Sequence, residues 1–363
     1  MKICVFGTRG FPDVQGGVEK HCEYLYPLLA SKERKIMVFR RKSYVKSGLQ
    51  QYQNIDFIDL PSTRVKGLET VLHSFLATLR CLIIKPDIVH IHNIGPALFS
   101  PLLKLLGIKV VLTFHSPNYE HEKWDLFSRN ILKLSEKIAL SVSDSIIFVS
   151  NAQRNKYGEK ILQKSVFIPN GIINPVVRIE DDYLKNIGVS RKKYILAVGR
   201  ITPEKGFDYL IRSFEKANPE DYHLVIAGGV DNEKTYSETL KNSVRSKKVV
   251  FAGFVTGKPL QELYSNAALF VLPSYNEGMS IVLLEAMSYS LPIIASDIPA
   301  NKELNLDNNS YFPVGNERKL AEKLSDFFVN PIESVVYDMD KYRWETIAEQ
   351  TAAVYEKIQI NQN

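Results

Sequence analysis

Short runs of branched apolar residues alternate with helix-length segments along almost the whole chain. Strands that are apolar on both faces are typical of parallel sheets buried between helices. Between the first two runs, Val18, Cys22, Leu25 and Leu29 form one apolar stripe, which predicts a helix packed on a sheet. The predicted strands of this first series cover residues 3–6, 36–39, 55–58, 88–91, 110–114, 145–149 and 166–168.

The same alternation restarts after residue 190. A second series of strands is predicted at 195–198, 224–227, 249–252, 269–272 and 293–295. Repeated strand–helix–strand units favour an α/β fold with two doubly wound, Rossmann-like parallel-sheet domains. We predict domains at 1–172 and 191–338, a linker at 173–190, and a C-terminal segment at 339–363. Its amphipathic helix, from about 340 to 358, is expected to return to the first domain.

Composition restricts the class of protein further. The 363 residues are 45% hydrophobic and 24% charged, as in ordinary globular proteins, and two domains suit this length. Charged residues interrupt every apolar stretch before the roughly 18 residues that a membrane span requires. The apolar run near the N-terminus is shorter than a secretory signal core. We therefore expect a cytoplasmic protein, and we expect its three cysteines (Cys4, Cys22 and Cys81) to be buried small residues.

Charge is distributed unevenly. Residues 1–170 contain 24 Lys and Arg against 14 Asp and Glu, a net charge of +10, whereas the remainder carries −4. A basic first half suggests an anionic partner such as phosphate, nucleic acid or the acidic head groups of a membrane; solvated helix faces explain the charge equally well. The basic residues that we expect to face such a partner are Lys32, Arg34, Lys35, Arg40, Arg41, Lys42 and Lys46.

Open α/β sheets bind ligands beyond the carboxyl ends of their strands, so two such domains predict one cleft between them. The loop of residues 7–17 follows the first predicted strand. Gly16 and Gly17 allow backbone amides to approach a ligand, and the helix that follows offers free N–H groups to phosphate. The loop lacks the G-x-G-x-x-G pattern of dinucleotide sites. Arg40 and Arg41 suit the extra phosphate of NADP, which keeps an oxidoreductase as an alternative.

Two loops of the second domain carry charged side chains after predicted strands. Arg200 and Lys205 stand five residues apart, and both side chains can turn towards one diphosphate. Glu277 and Glu285 flank seven residues on a strand–loop–helix turn, so their carboxylates can contact different parts of one long ligand. Between them, Gly278 permits close approach, and the amides near Ser280 and Ile281 can hold phosphate.

Histidines also follow strands of the first domain. His115 follows the strand at 110–114 and can point into the cleft, where an imidazole can hydrogen-bond a sugar or stabilise charge. We expect His90 and His92 to point to opposite faces of their strand, which argues against a metal site there, although His121 is near in sequence. Asp338 and Asp340 form a D-x-D pattern, which we interpret as first-turn carboxylates of the last helix.

Together these motifs resemble one family, the retaining, sugar-nucleotide-dependent glycosyltransferases of family 4, which have the GT-B fold. The resemblance extends over essentially the whole chain. Its motifs are the loop of Gly16, Gly17, Val18 and Glu19, the sequences at 113–115 and 169–171, Gly199 and Arg200 with Lys205 and Gly206, and the Glu277-x7-Glu285 turn.

The resemblance implies a role for each site residue. Arg200 and Lys205 should hold the donor diphosphate, and Gly16 and Gly17 should face it from the other domain. Glu285 should bind the ribose, while Glu277, with the amides of Gly278, Met279, Ser280 and Ile281, should bind the transferred sugar and the phosphates. His115 should lie near the donor sugar and Val255 near the base. Glu277 and His115 are the predicted catalytic residues.

The expected reaction transfers a hexosyl or deoxyhexosyl group with retention, without a metal ion or other cofactor. The expected donor is a UDP-sugar, with GDP- and dTDP-sugars as alternatives. The expected acceptor is a glycan or a lipid-diphosphate-linked glycan in polysaccharide assembly, with contact to an anionic membrane surface on its inner face and no role for nucleic acid. Alternatives are a sugar-nucleotide epimerase, an NADP oxidoreductase and an inactive nucleotide-sugar-binding relative.

Overall fold

The computed structural model describes residues 1–45, 48–63, 65, 68–117, 126–230 and 234–360. The chain divides into two compact units. The first combines Met1–Gly171 with Trp344–Asn363, and the second is Ile172–Arg343. In the described residues, no helix is both long enough and apolar enough to cross a membrane.

The first unit is built on an eight-stranded sheet with the order β3-β4-β2-β1-β5-β6-β7-β8. The short β3 pairs antiparallel with β4, and the other pairs are parallel. The strands are β1 Lys2–Phe6, β2 Lys35–Arg41, β3 Gln51–Tyr52, β4 Ile55–Leu60, β5 Ile88–His92, β6 Lys109–Phe114, β7 Ser145–Phe148 and β8 Ser165–Phe167.

Helices cover both faces of this sheet. They are α1 Gly17–Leu29, α2 Leu68–Ile84, α3 Ser100–Leu105, α4 Leu126–Val142, α5 Asn151–Arg154, α6 Glu159–Leu162 and the C-terminal α14 Trp344–Ile360. On one face, α1 and α14 pack together on apolar residues such as Ile3, Val5 and Ile88. On the other face, α2, α3 and α4 cover residues such as Cys4, Phe6 and Val89. The strands are apolar on both faces because both faces are covered.

The second unit has a six-stranded parallel sheet with the order β11-β10-β9-β12-β13-β14. Its strands are β9 Tyr194–Val198, β10 His223–Ala227, β11 Val249–Gly253, β12 Leu269–Leu272, β13 Ile293–Ser296 and β14 Tyr311–Phe312. Its helices are α7 Asp182–Asn186, α8 Phe207–Ala217, α9 Lys234–Ser243, α10 Gly257–Asn266, α11 Ile281–Ser288, α12 Pro299–Lys302 and α13 Glu317–Val329.

The structure agrees with the sequence analysis on every predicted strand, with small differences at the ends. The two-residue β3 and β14 were not predicted, because such short runs carry no periodic signal. The last helix begins at Trp344, later than predicted, because Asp340–Tyr342 forms a separate 3-10 turn. The expected linker at 173–190 contains α7, and Leu184 is buried in the second unit. All three cysteines are buried, as predicted.

In each sheet, the order of the strands reverses at one position. That position predicts where a ligand binds. In the first sheet, the strand order runs outwards from β1 on one side and from β5 on the other. In the second sheet, the corresponding neighbours are β9 and β12. Loops leaving neighbouring strands at such a switch point diverge to opposite faces and leave a crevice. Several candidate residues follow these strands: Gly16 and Gly17 follow β1, Arg200 and Lys205 follow β9, and Glu277 follows β12.

Candidate functional site

The switch point of the second unit is formed by the loops after β9 and β12. The β9 loop runs through Arg200 into a 3-10 turn, Pro203–Lys205, and then into α8. Gly206 joins turn and helix with φ of 67°, and a Cβ there would lie 2.4 Å from the carbonyl oxygen of Pro273. The backbone of the β12 loop therefore packs directly on the β9 loop, a contact that only glycine permits.

Lys205 and Glu277 meet across these two loops. The Lys205 Nζ lies 2.6 Å from Glu277 Oε1, and the Ser274 hydroxyl donates to the same oxygen over 2.7 Å. The side chains of Lys205 and Glu277 are 16% and 11% exposed. In the described residues both bonds fall on Oε1, so the arrangement leaves Oε2 to accept from a ligand hydroxyl. The pair combines a cation for phosphate with an acceptor for sugar.

The loop from Glu277 ends at the start of α11. Gly278 is half-buried, Met279 and Ser280 are buried, and Ser280 occupies the N-cap position before Ile281. The Ser280 side-chain oxygen is buried with no hydrogen-bond partner in the described part of the chain. A buried hydroxyl beside the free amides of a helix N-terminus is a ready partner for an anionic oxygen.

Glu285, Arg200 and Val255 are the other predicted donor-site side chains of this unit. One turn inside α11, Glu285 Oε2 accepts from the buried Tyr264 hydroxyl over 2.8 Å. Arg200 is 30% exposed on its side chain and lies 4.0 Å from Glu204. Val255 is half-buried after β11, an edge strand separated from β9 by β10. Among the predicted donor-site side chains, Lys205 and Glu277 are in direct contact.

In the first unit, the loop after β1 is held by Glu19. Its Oε1 accepts from the Arg9 backbone N–H over 3.0 Å and from the Thr8 hydroxyl over 3.3 Å. Gly16, the N-cap residue of α1, has φ of 151°, and a Cβ there would lie 1.9 Å from Glu19 Oε2. At Gly17, a Cβ would meet open space. Gly16 is therefore required by the fold of the loop, whereas Gly17 faces unfilled volume.

His115, which follows β6, belongs to a group of buried imidazoles. Its Nε2 lies 3.0 Å from Nδ1 of His92, the last residue of β5. The His21 ring, on α1, lies edge-on to the His115 ring at 4.9 Å and packs against Trp344 of α14. His21 Nδ1 is hydrogen bonded to Asn170 Oδ1 over 2.9 Å, and its buried Nε2 has no partner in the described residues.

The network continues away from His115. The Tyr26 hydroxyl, on α1, bonds to Nε2 of His92 and lies 3.0 Å from Nδ1 of His90. His90 is held in turn by the hydroxyls of Tyr355 and Thr113, each 2.6 Å away. Hydrogen bonds thus connect His115 to α1, β5, β6 and α14, which fixes the orientation of its ring.

The expectation that His90 and His92 point to opposite faces is wrong. Their rings stack at 4.6 Å, and both contact Tyr26. Residues two positions apart in a strand share a face, because side chains alternate with a period of two. His121 lies outside the described residues.

The three side chains of His21, His92 and His115 bring one nitrogen each to within 4.8 Å, a spacing found in metal clusters. The hydrogen bond between His92 and His115 competes with that role. One of the two bonded nitrogens, His92 Nδ1 or His115 Nε2, must carry the proton. These two nitrogens therefore cannot both donate lone pairs to an ion while the bond is present.

Burial determines the charge of these histidines. It lowers the pKa of His21 to about 4, with an opposing contribution from the bond to Asn170, and the pKa of His90 to about 3. Burial and the neighbouring imidazoles hold the pKa of His92 and of His115 well below the usual value. All four rings are therefore neutral at pH 7, so His115 acts as a hydrogen-bonding group there and carries no charge.

Two arginines expected on the surface lie inside the first unit. Arg40 is 1% exposed, forms two hydrogen bonds to Asp59 and stacks on Phe57. Arg41 is buried and forms an ion pair with Glu69 over 3.4 Å. Neither can face a lipid surface or the extra phosphate of NADP, because acids already satisfy both inside the protein. Lys46 lies outside the described residues.

The D-x-D pattern also lacks the setting of a metal site. Asp340 begins the 3-10 turn, is largely exposed and pairs with Arg343 over 2.9 Å. Asp338 Oδ1 accepts from the Asp340 backbone N–H over 3.3 Å. Both carboxylates therefore belong to a turn ahead of α14. The sequence analysis expected them in the first turn of that helix, which begins at Trp344, four residues after Asp340.

Several residues of the two sites were not predicted. Ser274, Tyr264 and Tyr26 each bond directly to a predicted residue or to its partner. A signal existed for Ser274, which lies in the loop after β12, as Glu277 does. Tyr26 lies four residues after Cys22 on the helix face predicted to be buried, where a hydroxyl needs a partner. Tyr264 is on a different helix from Glu285, and no sequence pattern links them.

Two Rossmann-like units with charged loops at the switch point of the second define a GT-B protein. Family models agree: "Glycosyltransferase Family 4" matches residues 15–173, and "Glycosyl transferases group 1" matches residues 180–343. The chain belongs to this glycosyltransferase family.

Individual relatives span the chain from end to end. An uncharacterised glycosyltransferase of Methanocaldococcus jannaschii is 26% identical, with 98% of each chain covered. Among solved structures, sucrose-phosphate synthase of Thermosynechococcus elongatus aligns with a TM-score of 0.78 at 18% identity, covering 99% of both chains. Anabaena HepE in complex with UDP and glucose aligns with a TM-score of 0.74 at 16% identity, covering 100% of this chain and 99% of HepE. These two structures share the fold.

Proposed function

We propose that the protein transfers a hexosyl or deoxyhexosyl group from a nucleotide sugar to a glycan or lipid-diphosphate-linked glycan, with retention of configuration. The observation that carries this proposal is the contact of Lys205 with Glu277 at the switch point of the second sheet. A cation and a sugar-binding carboxylate meet there beside an unpartnered buried hydroxyl, that of Ser280. The arrangement suits a ligand in which phosphate adjoins sugar.

Charge stabilisation is the main task in such a reaction. The bond between C1 of the sugar and the β-phosphate oxygen breaks, and the acceptor oxygen forms the new bond to C1. Lys205 and Arg200 offset the negative charge that develops on the leaving nucleoside diphosphate, and the acceptor proton passes to a phosphate oxygen of the donor. Preorganised donors of this kind each contribute about a hundredfold to a thousandfold in rate.

Glu277 and His115 contact the sugar in this proposal. Glu277 Oε1 is occupied by Lys205 and Ser274, so Oε2 accepts from a sugar hydroxyl. His115 is neutral and held by His92, so it hydrogen-bonds the sugar without placing a positive charge beside an electron-poor C1. A protonated imidazole there would oppose the oxocarbenium-like state.

Glu285 favours a ribonucleotide donor. A carboxylate binds both hydroxyls of a ribose, and the Tyr264 hydroxyl donates to Oε2 of this one. We therefore propose a UDP- or GDP-sugar ahead of a dTDP-sugar, whose deoxyribose lacks the 2′-hydroxyl. The complex of HepE with UDP and glucose supports UDP as the first choice.

We propose that no metal ion takes part in the transfer. Lys205 and Arg200 supply the positive charge that a divalent ion would otherwise supply. The surface-polysaccharide setting is also a proposal, based on the resemblance.

The alternatives have less support. The buried, paired Arg40 and Arg41 remove the feature that favoured an NADP oxidoreductase. An epimerase needs acids and bases of suitable pKa around the sugar. Burial instead lowers the pKa of the imidazoles near His115 and makes them weak bases; they are those of His21, His90, His92 and His115. In an inactive relative, no function would require Lys205 and Glu277 to stay in contact.

Incubation of the purified protein with UDP-, GDP- and dTDP-glucose and -galactose, with and without EDTA, tests the proposal. We expect slow release of UDP or GDP by hydrolysis, faster release with a lipid-diphosphate-linked glycan, and no effect of EDTA. For the variant Glu277→Gln, the matched control is Glu238→Gln, which removes a carboxylate at an exposed position of α9. Conversion of one sugar nucleotide to another without diphosphate release would establish an epimerase, and binding without turnover would establish an inactive relative.

A further inference from the structure

Helix α2 of the first unit has an inverted distribution of polar and apolar residues. Its buried face carries Glu69, His73, Ser74 and Thr78, together with the small residues Ala77 and Cys81. A surface helix normally turns its apolar side inwards and its polar side to water. Here the buried face of α2 is mainly small and polar, and five of its large apolar residues are exposed, whereas Leu76, Leu82 and Ile84 pack partly against the core.

The outward face of α2 is a continuous apolar stripe. Leu68, Val71, Phe75, Leu79 and Ile83 recur at spacings of three and four residues, which places them on one side of the helix. All five are exposed, from 38% for Leu79 to 73% for Ile83. Single exposed apolar residues are ordinary, but five in line on one helix mark an interaction surface.

The stripe continues onto neighbouring helices. Helix α3 packs against α2 and α4, so the three form one layer on the same side of the sheet. Leu105 and Leu106, at the end of α3, are 80% and 56% exposed, and Leu134 of α4 is 54% exposed. We call the exposed residues of this layer the outer helical face; they are Leu68, Val71, Phe75, Leu79, Ile83, Leu102, Leu105, Leu106 and Leu134.

On the three helices of this layer, the exposed charged side chains have one sign. Arg80 of α2 and Lys133 and Lys137 of α4 are exposed. In the described residues of the three helices, the acidic side chains are Glu69 and Glu136. Glu69 is buried beside Arg41, and Glu136 accepts from the Tyr157 hydroxyl. The face is thus apolar with a positive border.

We propose that the outer helical face docks on an anionic lipid bilayer, with its apolar side chains at the level of the acyl boundary and its cations among the head groups. Helices that lie in a membrane interface combine these two features. A second copy of the chain is a poorer occupant, because a symmetric contact would place Arg80, Lys133 and Lys137 near their own copies. The argument rests on exposure and charge and is independent of the proposed reaction.

The proposed membrane surface differs from the basic residues that the sequence analysis expected to face an anionic partner. Those included Arg40 and Arg41, which are buried and paired. The apolar face lies on other elements, and it carries a hydrophobic contribution that a basic run alone lacks.

Vesicle flotation of the full chain tests the proposal, with vesicles of pure phosphatidylcholine and vesicles in which a third of the lipid is phosphatidylglycerol. We expect flotation with the anionic vesicles and little with the neutral ones. The double variant Ile83→Ser/Leu105→Ser should weaken partition at least about tenfold, because both side chains are largely exposed and contribute apolar area only on docking. Lys133→Glu/Lys137→Glu should weaken it about as much.

Matched controls come from the second unit, where Val329 and Val336 are 77% and 94% exposed. Val329→Ser/Val336→Ser should float like the native chain, and circular dichroism should show native melting for every variant. Equal flotation with both vesicle types would overturn the proposal, as would unchanged flotation of Ile83→Ser/Leu105→Ser. Sedimentation that shows a dimer dissolved by Ile83→Ser/Leu105→Ser would instead assign the face to a second copy and overturn it too.

Discussion

The two units differ in the electrostatics of the side chains at the carboxyl ends of their strands. In the first unit, His92 ends β5 and His115 follows β6, and burial keeps both imidazoles neutral in one hydrogen-bonded network with Tyr26. In the second unit, the residues after β9 and β12 are a cation and an anion in contact, each retaining some exposure to water. One site is uncharged and enclosed, and the other is charged and accessible.

This difference follows from the cost of burying charge. A group that must attract phosphate has to stay ionised, so it needs a counter-charge and some solvent, as Lys205 has in Glu277. A group that only shapes and hydrogen-bonds a sugar is better neutral and rigid, and deep burial provides both. In the proposed reaction, charge stabilisation therefore falls to the second unit and positioning to the first.

The largest effect is expected from Glu277→Gln. The substitution removes the sugar-binding charge and leaves Lys205 without its counter-charge, so the transfer rate should fall about a thousandfold. Rates at saturating donor check this, with melting temperature measured alongside. The exposed Glu238→Gln should retain full activity. If Glu277→Gln kept a tenth of the native rate, the proposed role of Glu277 in the charged site would be contradicted.

A smaller effect is expected from His92, a positioning residue that acts through His115. His115→Phe should lower kcat about a hundredfold. His92→Phe keeps a ring but loses the bond to His115, so it should lower kcat about tenfold and leave the donor KM unchanged. In a background of His115→Phe, the loss of His92 should cost nothing further.

The control for this network is Tyr355→Phe, which removes a hydroxyl at the end remote from His115 and should change kcat less than threefold. Additive losses for His92→Phe and His115→Phe would show that His92 acts independently of His115 and would contradict its role as a positioning residue.

The smallest effect concerns pH and should arise in the first unit. Burial lowers the pKa of His21 from 6.5 to about 4, so between these pH values the unfolded chain binds more protons than the folded one. The free energy of unfolding should therefore fall as the pH is lowered from about 6.5 towards 4, by roughly 3 kcal/mol for His21 alone. His21→Phe should remove the contribution of His21 to this dependence in urea unfolding, while the other buried histidines keep theirs. His223→Gln, on a half-buried residue of the second unit, should leave most of the dependence. A stability that is level over this range would contradict neutral, buried imidazoles.

Sequence patterns were sufficient to predict the strands of both sheets and the loops that carry the charged residues of the second unit. Strands such as β1 and β12 are apolar throughout, so their positions, and the loops that follow them, could be predicted. That placed Lys205 and Glu277 after strands of one sheet. Their direct contact depends on the approach of Gly206 to Pro273, which no spacing records.

The remaining features depend on tertiary packing. The arginines Arg40 and Arg41 look like a surface run, yet Asp59 and Glu69 pair with them inside the first unit. The imidazole network joins residues as distant in sequence as His90 and Tyr355, which periodicity cannot connect. The placement of His90 and His92 was an error of reasoning, since a period of two already puts both on one face.

The central claim is that cations at the strand ends of the second unit hold the leaving nucleoside diphosphate. Calorimetric titration of UDP and GDP into the native protein and into Arg200→Ala/Lys205→Ala measures this directly, with Arg318→Ala/Lys319→Ala on the surface of α13 as the charge-matched control. We expect Kd for the preferred diphosphate to rise at least about a hundredfold in the first double variant and to stay unchanged in the control. An equal Kd in all three proteins would contradict the account.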